Sequence, residues 1–183
     1  MKESKFISKI YGWRIRSALL CIILVIALAK PNPYSIGAGI LITIVGLLIR
    51  AWACTHIRKE KRLAVSGPYR YTRNPLYLGN LILGIAIAAG SNSWWVLAVF
   101  SVYFLIFYTV AVLVEKDKME QLFPKEYGDY KKNVPLFFPR LRPYGGSSPI
   151  RSDPHLYKEN RECRALTGSA VFWVILVLKM ILL

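Results

Sequence analysis

The chain has 183 residues, 55% of them hydrophobic, and a formal net charge of +15. In a soluble protein this charge would indicate a nucleic-acid binder, but here the charged and the apolar residues occupy separate blocks of the sequence. Because charges are costly inside hydrocarbon, this segregation indicates an integral membrane protein. We therefore expect membrane lipids, and not nucleic acid, as partners.

Five apolar stretches are candidate membrane helices, since a span needs about 20 apolar residues, or fewer where flanking side chains reach the interface. Arg50 lies near the end of the second stretch, where we expect it to reach the headgroups. The fifth carries Lys179 near its end, so partial insertion is an alternative for it. The sequence predicts an all-α polytopic membrane protein with about five transmembrane helices. They run from about Ser17 to Ala29, Ser35 to Cys54, Pro75 to Gly90, Trp94 to Val114 and Leu166 to Leu183.

Lysine and arginine residues are concentrated in three segments. Met1–Arg16 contains five, Thr55–Pro75 contains six and Glu115–Ala165 contains eleven, whereas the two short turns between helices contain only Lys30. With helices joined as hairpins, all three segments fall on one side of the membrane, and basic loops face the cytoplasm. We expect a plasma- or inner-membrane protein whose N-terminus and polar loops are cytoplasmic.

The chain is too short for two ordinary domains, so we expect a single membrane-embedded domain over residues 1–183. The sequence Gly-Gly-Ser-Ser-Pro predicts a flexible joint at about 145–149, followed by a C-terminal helical segment at about 154–183. The cysteines form no CxxC pair, and no zinc site can be assembled from the cysteines and histidines. No metal is therefore predicted. The residues considered were Cys21, Cys54, Cys163, His56 and His155.

The segment Ser66–Gly79 contains the first candidate for function. Asn74 followed by Pro75 predicts an N-cap and the first position of the third helix, whose positive dipole end would lie at the cytoplasmic surface. Such an end binds anions, and Arg70 and Arg73 would reinforce it. The alternative is a plain membrane anchor, with arginines at lipid headgroups and tyrosines in an aromatic belt.

A second polar segment, Glu115–Arg140, follows the fourth helix. Glu115 is its first carboxylate, at the depth where hydrocarbon gives way to headgroups, and a carboxylate there usually needs a partner. For Asp117 and Glu120 we prefer a solvated helix with ordinary pairs, such as Lys116 with Glu120. For Glu115 this interpretation and a functional role are both open.

The two segments resemble the isoprenylcysteine carboxyl methyltransferase and phospholipid methyltransferase superfamily, in particular its short bacterial members. The resemblance covers about residues 51–142. Asn74 stands where histidine is usual, Lys116 replaces the second residue of a glutamate pair, and Pro124 replaces a glycine. The arginine expected one turn before the glutamate pair is absent. The matching positions are Gly67–Tyr71, Arg73, Pro75–Gly79, Glu115, Phe123, Glu126, Tyr127, Tyr130 and Val134–Pro135.

The resemblance implies a membrane methyltransferase that uses S-adenosylmethionine. Arg73 and the start of the third helix would hold the methionine carboxylate, and Tyr71 or Tyr77 would face the sulfonium or the adenine. Glu115 would hold the amino group or the ribose hydroxyls, and would be the catalytic general base for a protonated amine acceptor. The acceptor would be lipophilic and come from the bilayer. The cofactor-binding positions implied by the motif are Tyr71, Arg73, Asn74, Pro75, Tyr77, Gly79 and Glu115.

Two other functions stay open. One is an NADPH-dependent membrane reductase for sterols or enones, a class with a related helix arrangement and a similar C-terminal block. The other is a non-catalytic membrane protein that binds anionic lipids through its basic loops. The segment Leu156–Leu166 also resembles the tail of the short bacterial members, and we interpret it as an amphipathic helix on the surface.

Overall fold

The computed structural model describes residues 5–58, 62–145 and 152–182, with residues 5–12 and 14–16 by backbone alone. Within these ranges it contains seven α-helices and one short 3₁₀ helix, Gly67–Arg70, and no β-strand, so the predicted all-α fold is confirmed. The flexible joint predicted at 145–149 lies, apart from Gly145, outside the described residues. The helices are α1 (Lys5–Leu28), α2 (Pro33–Cys54), α3 (Pro75–Ser91), α4 (Trp94–Leu122), α5 (Pro124–Asn133), α6 (His155–Glu159) and α7 (Cys163–Leu182).

Five of these helices correspond to the five predicted apolar stretches. Three of them, α2, α4 and α7, are long and apolar enough to cross a membrane, whereas the apolar part of α1, Ser17–Leu28, and α3 are shorter. A short apolar helix can still span where the bilayer thins or flanking residues snorkel. By its length and composition α7 can cross the membrane completely. The protein is an all-helical membrane protein.

The two short turns, Ala29–Asn32 and Asn92–Ser93, lie together at one end of the bundle, which we call the turn end. The Lys30 N–H donates to the Ser91 carbonyl at 2.8 Å, and the Asn92 side-chain amide donates to the Lys30 carbonyl at 3.3 Å. The hairpins α1–α2 and α3–α4 are thereby held side by side. The long polar segments lie at the opposite end, which we call the loop end.

Helices α2 and α3 form the closest helix pair, and glycines allow their approach. A Cβ added at Gly39 would lie 2.9 Å from the Ala86 carbonyl oxygen. The indole of Trp173, from α7, occupies the space beside Gly39 and Gly90 and donates to the Thr43 hydroxyl at 3.1 Å. Because these glycines have no side chain, the Trp173 ring can pack against α2 and α3 and hold α7 beside them.

Two apolar clusters fill the bundle. The larger lies towards the turn end and joins α1, α2, α3, α4 and α7, and the smaller lies at the loop end and joins α5 to the segment before the 3₁₀ helix. The larger contains Val25, Ala29, Ile36, Ala86, Ala88, Val96, Phe172, Trp173 and Leu176. The smaller contains Leu63, Tyr127, Tyr130 and Val134.

Candidate functional site

The two motif segments, which are far apart in the sequence, lie side by side at the loop end. The Arg73 N–H donates to the Pro135 carbonyl at 3.0 Å, and the Arg140 N–H donates to the Tyr71 carbonyl at 2.9 Å. These backbone hydrogen bonds fix the start of α3 against the chain that follows α5. The candidate residues of both segments thus belong to one structural unit.

Helix α5 is anchored to the first segment by tyrosines. The buried Tyr130 hydroxyl donates to the Tyr69 carbonyl at 2.6 Å. Burial raises the pKa of the Tyr69 phenol well above its ordinary value, and burial is also the main cause of the raised pKa of Tyr130. Both phenols therefore keep their protons at neutral pH, and Tyr130 uses its proton in this hydrogen bond.

The predicted start of α3 is confirmed, because Asn74 precedes the helix and Pro75 is its first residue. The Asn74 side chain, however, makes no capping hydrogen bond. Its amide donates instead to the Leu136 carbonyl at 2.9 Å. Asn74 is buried, and this hydrogen bond joins the two motif segments. The sequence alone could not identify the Leu136 carbonyl as its partner.

A cavity of about 610 Å³ opens where the two motif segments meet α3 and α4. Five of the seven predicted site residues line it. Its wall also contains tyrosines of α4, so it reaches from the polar loops towards the apolar part of the bundle. The predicted residues in its wall are Arg73, Asn74, Pro75, Tyr77 and Glu115, and the α4 tyrosines are Tyr103 and Tyr108.

The other two predicted residues, Tyr71 and Gly79, are not part of the cavity wall. The Tyr71 ring lies 6.3 Å from the Trp52 ring, centroid to centroid. Gly79 faces α2, and the space that its Cβ would need is occupied by the side chain of Arg50. Their positions indicate packing roles, in which Gly79 lets Arg50 cross the α2–α3 interface.

Arg73 has a polar atom that is buried without a partner. Its Nη1 donates to the Tyr127 hydroxyl at 3.0 Å, and its guanidinium carbon lies 5.7 Å from the centroid of that ring. Its Nε has no hydrogen-bond partner among the described residues, and the same is true of the Tyr69 hydroxyl, which also lines the cavity. A buried unpaired donor is costly and needs an explanation. An acceptor atom of a ligand or of a water molecule would satisfy each of these two donors.

Glu115 also lines the cavity, at the end of the apolar part of α4. The Tyr77 hydroxyl donates to its Oε2 at 3.5 Å, the outer limit for a hydrogen bond. The edge of the Tyr77 ring meets the Tyr108 ring at 5.6 Å between centroids. This part of the wall therefore combines a carboxylate with aromatic rings, a combination that suits a cation.

The cavity wall is strongly basic. Among the described residues that line it, six are lysine or arginine and Glu115 is the single acidic residue. Such a wall favours a ligand that carries at least one anionic group. The basic residues are Arg50, Arg58, Arg62, Arg73, Lys116 and Lys118.

The site prediction did not include Arg50, Asn80 and Glu162, which lie at this end. Arg50, expected to reach the headgroups, instead turns inwards and pairs with Glu162 at 2.5 Å and with Asn80. The predicted surface amphipathic helix Leu156–Leu166 is instead divided, because α6 ends at Glu159 and α7 begins at Cys163, and Glu162, in the turn between them, is 5% exposed. An arginine inside an apolar stretch usually needs an acidic partner, and this rule could have directed attention to Glu162.

One protein-family model matches the chain. The model of the phospholipid methyltransferase family matches residues 34–126. The match runs from α2 to the start of α5, and it includes the five predicted residues that line the cavity. Glu162 and the rest of the C-terminal segment lie beyond it.

Two curated relatives are named for metal resistance. The chain is 34% identical over 119 residues to the cobalt-zinc-cadmium resistance protein CzcN of Cupriavidus metallidurans, an alignment that covers 64% of this chain and 55% of that protein. It is 29% identical over 136 residues to the nickel-cobalt-cadmium resistance protein NccN of Alcaligenes xylosoxydans xylosoxydans, with coverage of 70% and 63%. The chain thus spans less than two thirds of either relative.

No solved structure matches the chain. The family model, by contrast, covers about half of it, including most of the residues that line the cavity. On this evidence the protein belongs to the phospholipid methyltransferase family.

Proposed function

We propose that the protein is an S-adenosylmethionine-dependent membrane methyltransferase whose acceptor is a lipophilic molecule from the bilayer. The observation that carries this proposal is the pair of buried polar atoms without partners, Arg73 Nε and the Tyr69 hydroxyl. Arg73 and Tyr69 both line a cavity whose α3 and α4 walls lie within the family match. An acceptor-rich ligand there would satisfy both atoms.

The side chains fit the charges of the cofactor. Arg73 would bind the methionine carboxylate through its free Nε and place an opposite charge beside it. Glu115 would hold the amino group, and the rings of Tyr77 and Tyr108 would face the sulfonium, because aromatic faces attract cations. A cavity of about 610 Å³ has the size of ordinary small-molecule sites. When bound, the cofactor supplies an activated methyl group.

The chain's own contribution would be alignment and exclusion of water. Methyl transfer is an in-line displacement, so its rate depends on holding donor and acceptor in line. Leu76, Tyr103 and Tyr108 line the cavity beyond its polar end and would keep water from the reacting atoms. Glu115 would take the proton of an amine acceptor, whereas a carboxylate acceptor would need no base.

The extent of the cavity favours a lipophilic acceptor. Its wall runs along α4 from Glu115 to Tyr103, a distance of about 18 Å at 1.5 Å per residue. Ala18, in the apolar part of α1, also lines it. An acceptor could therefore place its head at the polar end and its chain between the helices.

We also propose that the loop end faces the cytoplasm. The basic segments are concentrated at this end, and positively charged loops are retained on the cytoplasmic side. S-adenosylmethionine is charged and cytosolic, so it would reach the cavity from the same side. Cysteine labelling from outside intact cells, at the turn end and at the loop end, tests this orientation.

The names of the relatives refer to metal resistance, and we assign this chain no metal-binding role on their basis. In the described residues no group of three or more His, Cys, Asp and Glu side chains could hold a metal ion. A reductase that uses NADPH would also find a basic wall for its phosphate groups. Family membership favours methyl transfer over this alternative.

Calorimetric titration of the detergent-purified protein with S-adenosylhomocysteine, S-adenosylmethionine and NADPH tests the proposal. We expect saturable binding of the first two, weakened in Arg73→Ala by about 10- to 100-fold, the loss of one hydrogen bond to a charged group. Glu115→Gln should weaken binding in the same direction. Glu120→Gln is the matched control, because Glu120 pairs with Lys131 outside the cavity.

Other outcomes would contradict the proposal in different ways. Binding of NADPH alone would assign the protein to the reductases. Binding of none of the three ligands by a sample with a cooperative thermal transition would favour a non-catalytic lipid-binding protein. Equal affinity of Arg73→Ala and the wild type would exclude Arg73 from the cofactor site.

A further inference from the structure

The C-terminal segment 152–162, which lies beyond the family match, docks against the loop end of α2. The Asp153 N–H donates to the Thr55 carbonyl at 3.0 Å. The Asn160 side-chain amide donates to the Ile57 carbonyl at 3.1 Å. These contacts attach the segment to the residues that follow α2. It is therefore placed to influence the cavity, although it contributes no residue to the cavity wall.

Glu162 makes the inward contact of this segment. Its carboxylate accepts from Arg50 Nε at 2.5 Å and from Arg50 Nη2 at 2.9 Å. The Cys54 thiol donates to the same carboxylate at 3.1 Å. The two charged side chains are only 6% and 15% exposed. A buried bidentate pair of this kind allows the guanidinium one orientation.

Arg50 in turn orients Asn80. Arg50 Nη1 donates to the side-chain oxygen of Asn80, and both residues line the cavity. Arginine has no acceptor atom, so the Asn80 atom that faces it must be the amide oxygen. The Asn80 NH₂ group is then directed elsewhere. Because the Glu162–Arg50 pair occupies the Asn80 oxygen, the NH₂ group of Asn80 is the part of the amide that can donate to a ligand.

Asn80 lies deeper in the bundle than Arg73 and Glu115, the charged residues suited to the cofactor. It follows Pro75 by five positions on α3, which is about 7.5 Å along the helix axis. Leu76, one turn before it, is also in the cavity wall, as are the tyrosines of α4. An amide donor at this depth stands between the polar mouth and the apolar part of the cavity, where the head of a lipophilic molecule would come to rest.

We propose that the Asn80 amide N–H binds an oxygen on the head of the lipophilic methyl acceptor, and that Glu162 is a positioning residue that acts through Arg50. This inference rests on the proposed function. It assigns the acceptor to lipophilic molecules that carry a carbonyl, carboxylate or phosphoryl oxygen beside the methylated atom. It also gives the C-terminal segment a role in acceptor binding.

Native mass spectrometry of the full-length, cofactor-free protein can measure the acceptor subsite directly. The probes are N-acetyl-S-farnesylcysteine, which has head-group oxygens, and farnesylamine, which has none. The decisive variant is Asn80→Asp, which keeps an oxygen for Arg50 but removes the N–H donor. We expect it to weaken binding of the farnesylcysteine probe by about tenfold, the loss of one hydrogen bond. Binding of farnesylamine, which is cationic at neutral pH, should not weaken, because the new carboxylate attracts it.

The positioning role is tested with Glu162→Gln, Glu162→Asp and the surface control Glu120→Gln. We expect both Glu162 variants to bind the farnesylcysteine probe more weakly. The dissociation constant of S-adenosylhomocysteine should change by less than about twofold. Glu162→Gln leaves Arg50 without a charged partner and can fail to fold; Glu162→Asp, which keeps the charge on a shorter side chain, then decides. Parallel loss of both ligands with a lower Tm would show a merely structural role and overturn this part.

The two proposals fail in different ways. If Asn80→Asp binds the farnesylcysteine probe as tightly as the wild type does, the Asn80 subsite is wrong, whatever the cofactor. If binding of the farnesylcysteine probe depends on Asn80 but the wild type binds no S-adenosylhomocysteine, the lipid subsite is supported and the methyltransferase proposal is wrong.

Discussion

The turn end and the loop end lie at opposite ends of one helix bundle and are filled differently. At the turn end the Trp173 indole fits beside Gly39 and Gly90, and the apolar cluster is closed. At the loop end a cavity of about 610 Å³ separates the helices. Both ends contain a buried hydroxyl without a hydrogen-bond partner in the described part of the chain, Ser91 and Tyr69. Of these two residues only Tyr69 lines the cavity, so we interpret its unpaired hydroxyl as a candidate ligand contact and that of Ser91 as a packing defect.

The largest effect is expected from Gly39→Leu, which breaks the packing of the turn end. Its side chain would collide with the Trp173 ring and the Ala86 carbonyl, and overpacking of this kind costs about 3 kcal/mol. Gly37→Leu is the matched control, because a Cβ there meets no atom within 4 Å. Thermal unfolding in detergent should show a large loss of stability for Gly39→Leu alone. Equal losses for both variants would contradict the assigned packing.

Tyr130→Phe should have a smaller effect, at the loop end. It removes the hydrogen bond of 2.6 Å to the Tyr69 carbonyl and leaves a buried acceptor unpaired, at a cost of about 1–2 kcal/mol. The exposed Tyr34, at the turn end, supplies the control Tyr34→Phe. Chemical or thermal unfolding of both variants measures the difference. Tyr130→Phe as stable as the wild type would show that α5 is held by apolar contacts alone.

The same tyrosine predicts a pH dependence. Burial raises the pKa of Tyr130 above its ordinary value of 10.0, so the folded state keeps a proton that the unfolded state releases. This contribution to stability is complete below about pH 10 and is lost as the pH rises towards the folded-state pKa. We expect the wild type to lose stability between about pH 10 and 12, and Tyr130→Phe to lose less over this interval. Identical slopes would contradict the buried position of the phenol.

Much of this fold followed from the sequence, because the hydrocarbon core requires long apolar stretches and separates them from charge. Asn74-Pro75 marked the start of α3 correctly, since proline at the first helical position is a local signal. The Asn74 side chain was less predictable, because its partner is the Leu136 carbonyl, far along the chain. The Arg50–Glu162 pair was not predicted for the same reason. Local patterns identify helices and their ends, but they do not identify distant partners.

The candidate site was predictable to a similar degree. The motif identified Arg73, Tyr77 and Glu115, which line the cavity, but gave equal weight to Tyr71 and Gly79, which do not. A motif records which positions are characteristic of a family and does not separate contact with a ligand from packing between helices. Gly79 illustrates packing, because the Arg50 side chain occupies the space beside it.

The smallest effects on stability, and the sharpest comparison between the two ends, are expected from Tyr69→Phe and Ser91→Ala. Each removes a buried hydroxyl that has no partner in the described residues, so each should change the free energy of unfolding by less than about 1 kcal/mol, or stabilise the fold. Their effects on binding should differ. Tyr69→Phe removes a donor from the cavity wall and should weaken the binding of S-adenosylhomocysteine by about 5- to 10-fold. Ser91→Ala, at the turn end, should leave the calorimetric dissociation constant unchanged. If the two variants bind alike, the free hydroxyl of Tyr69 is a packing defect, as that of Ser91 is, and the cofactor contact must be sought at Arg73 alone.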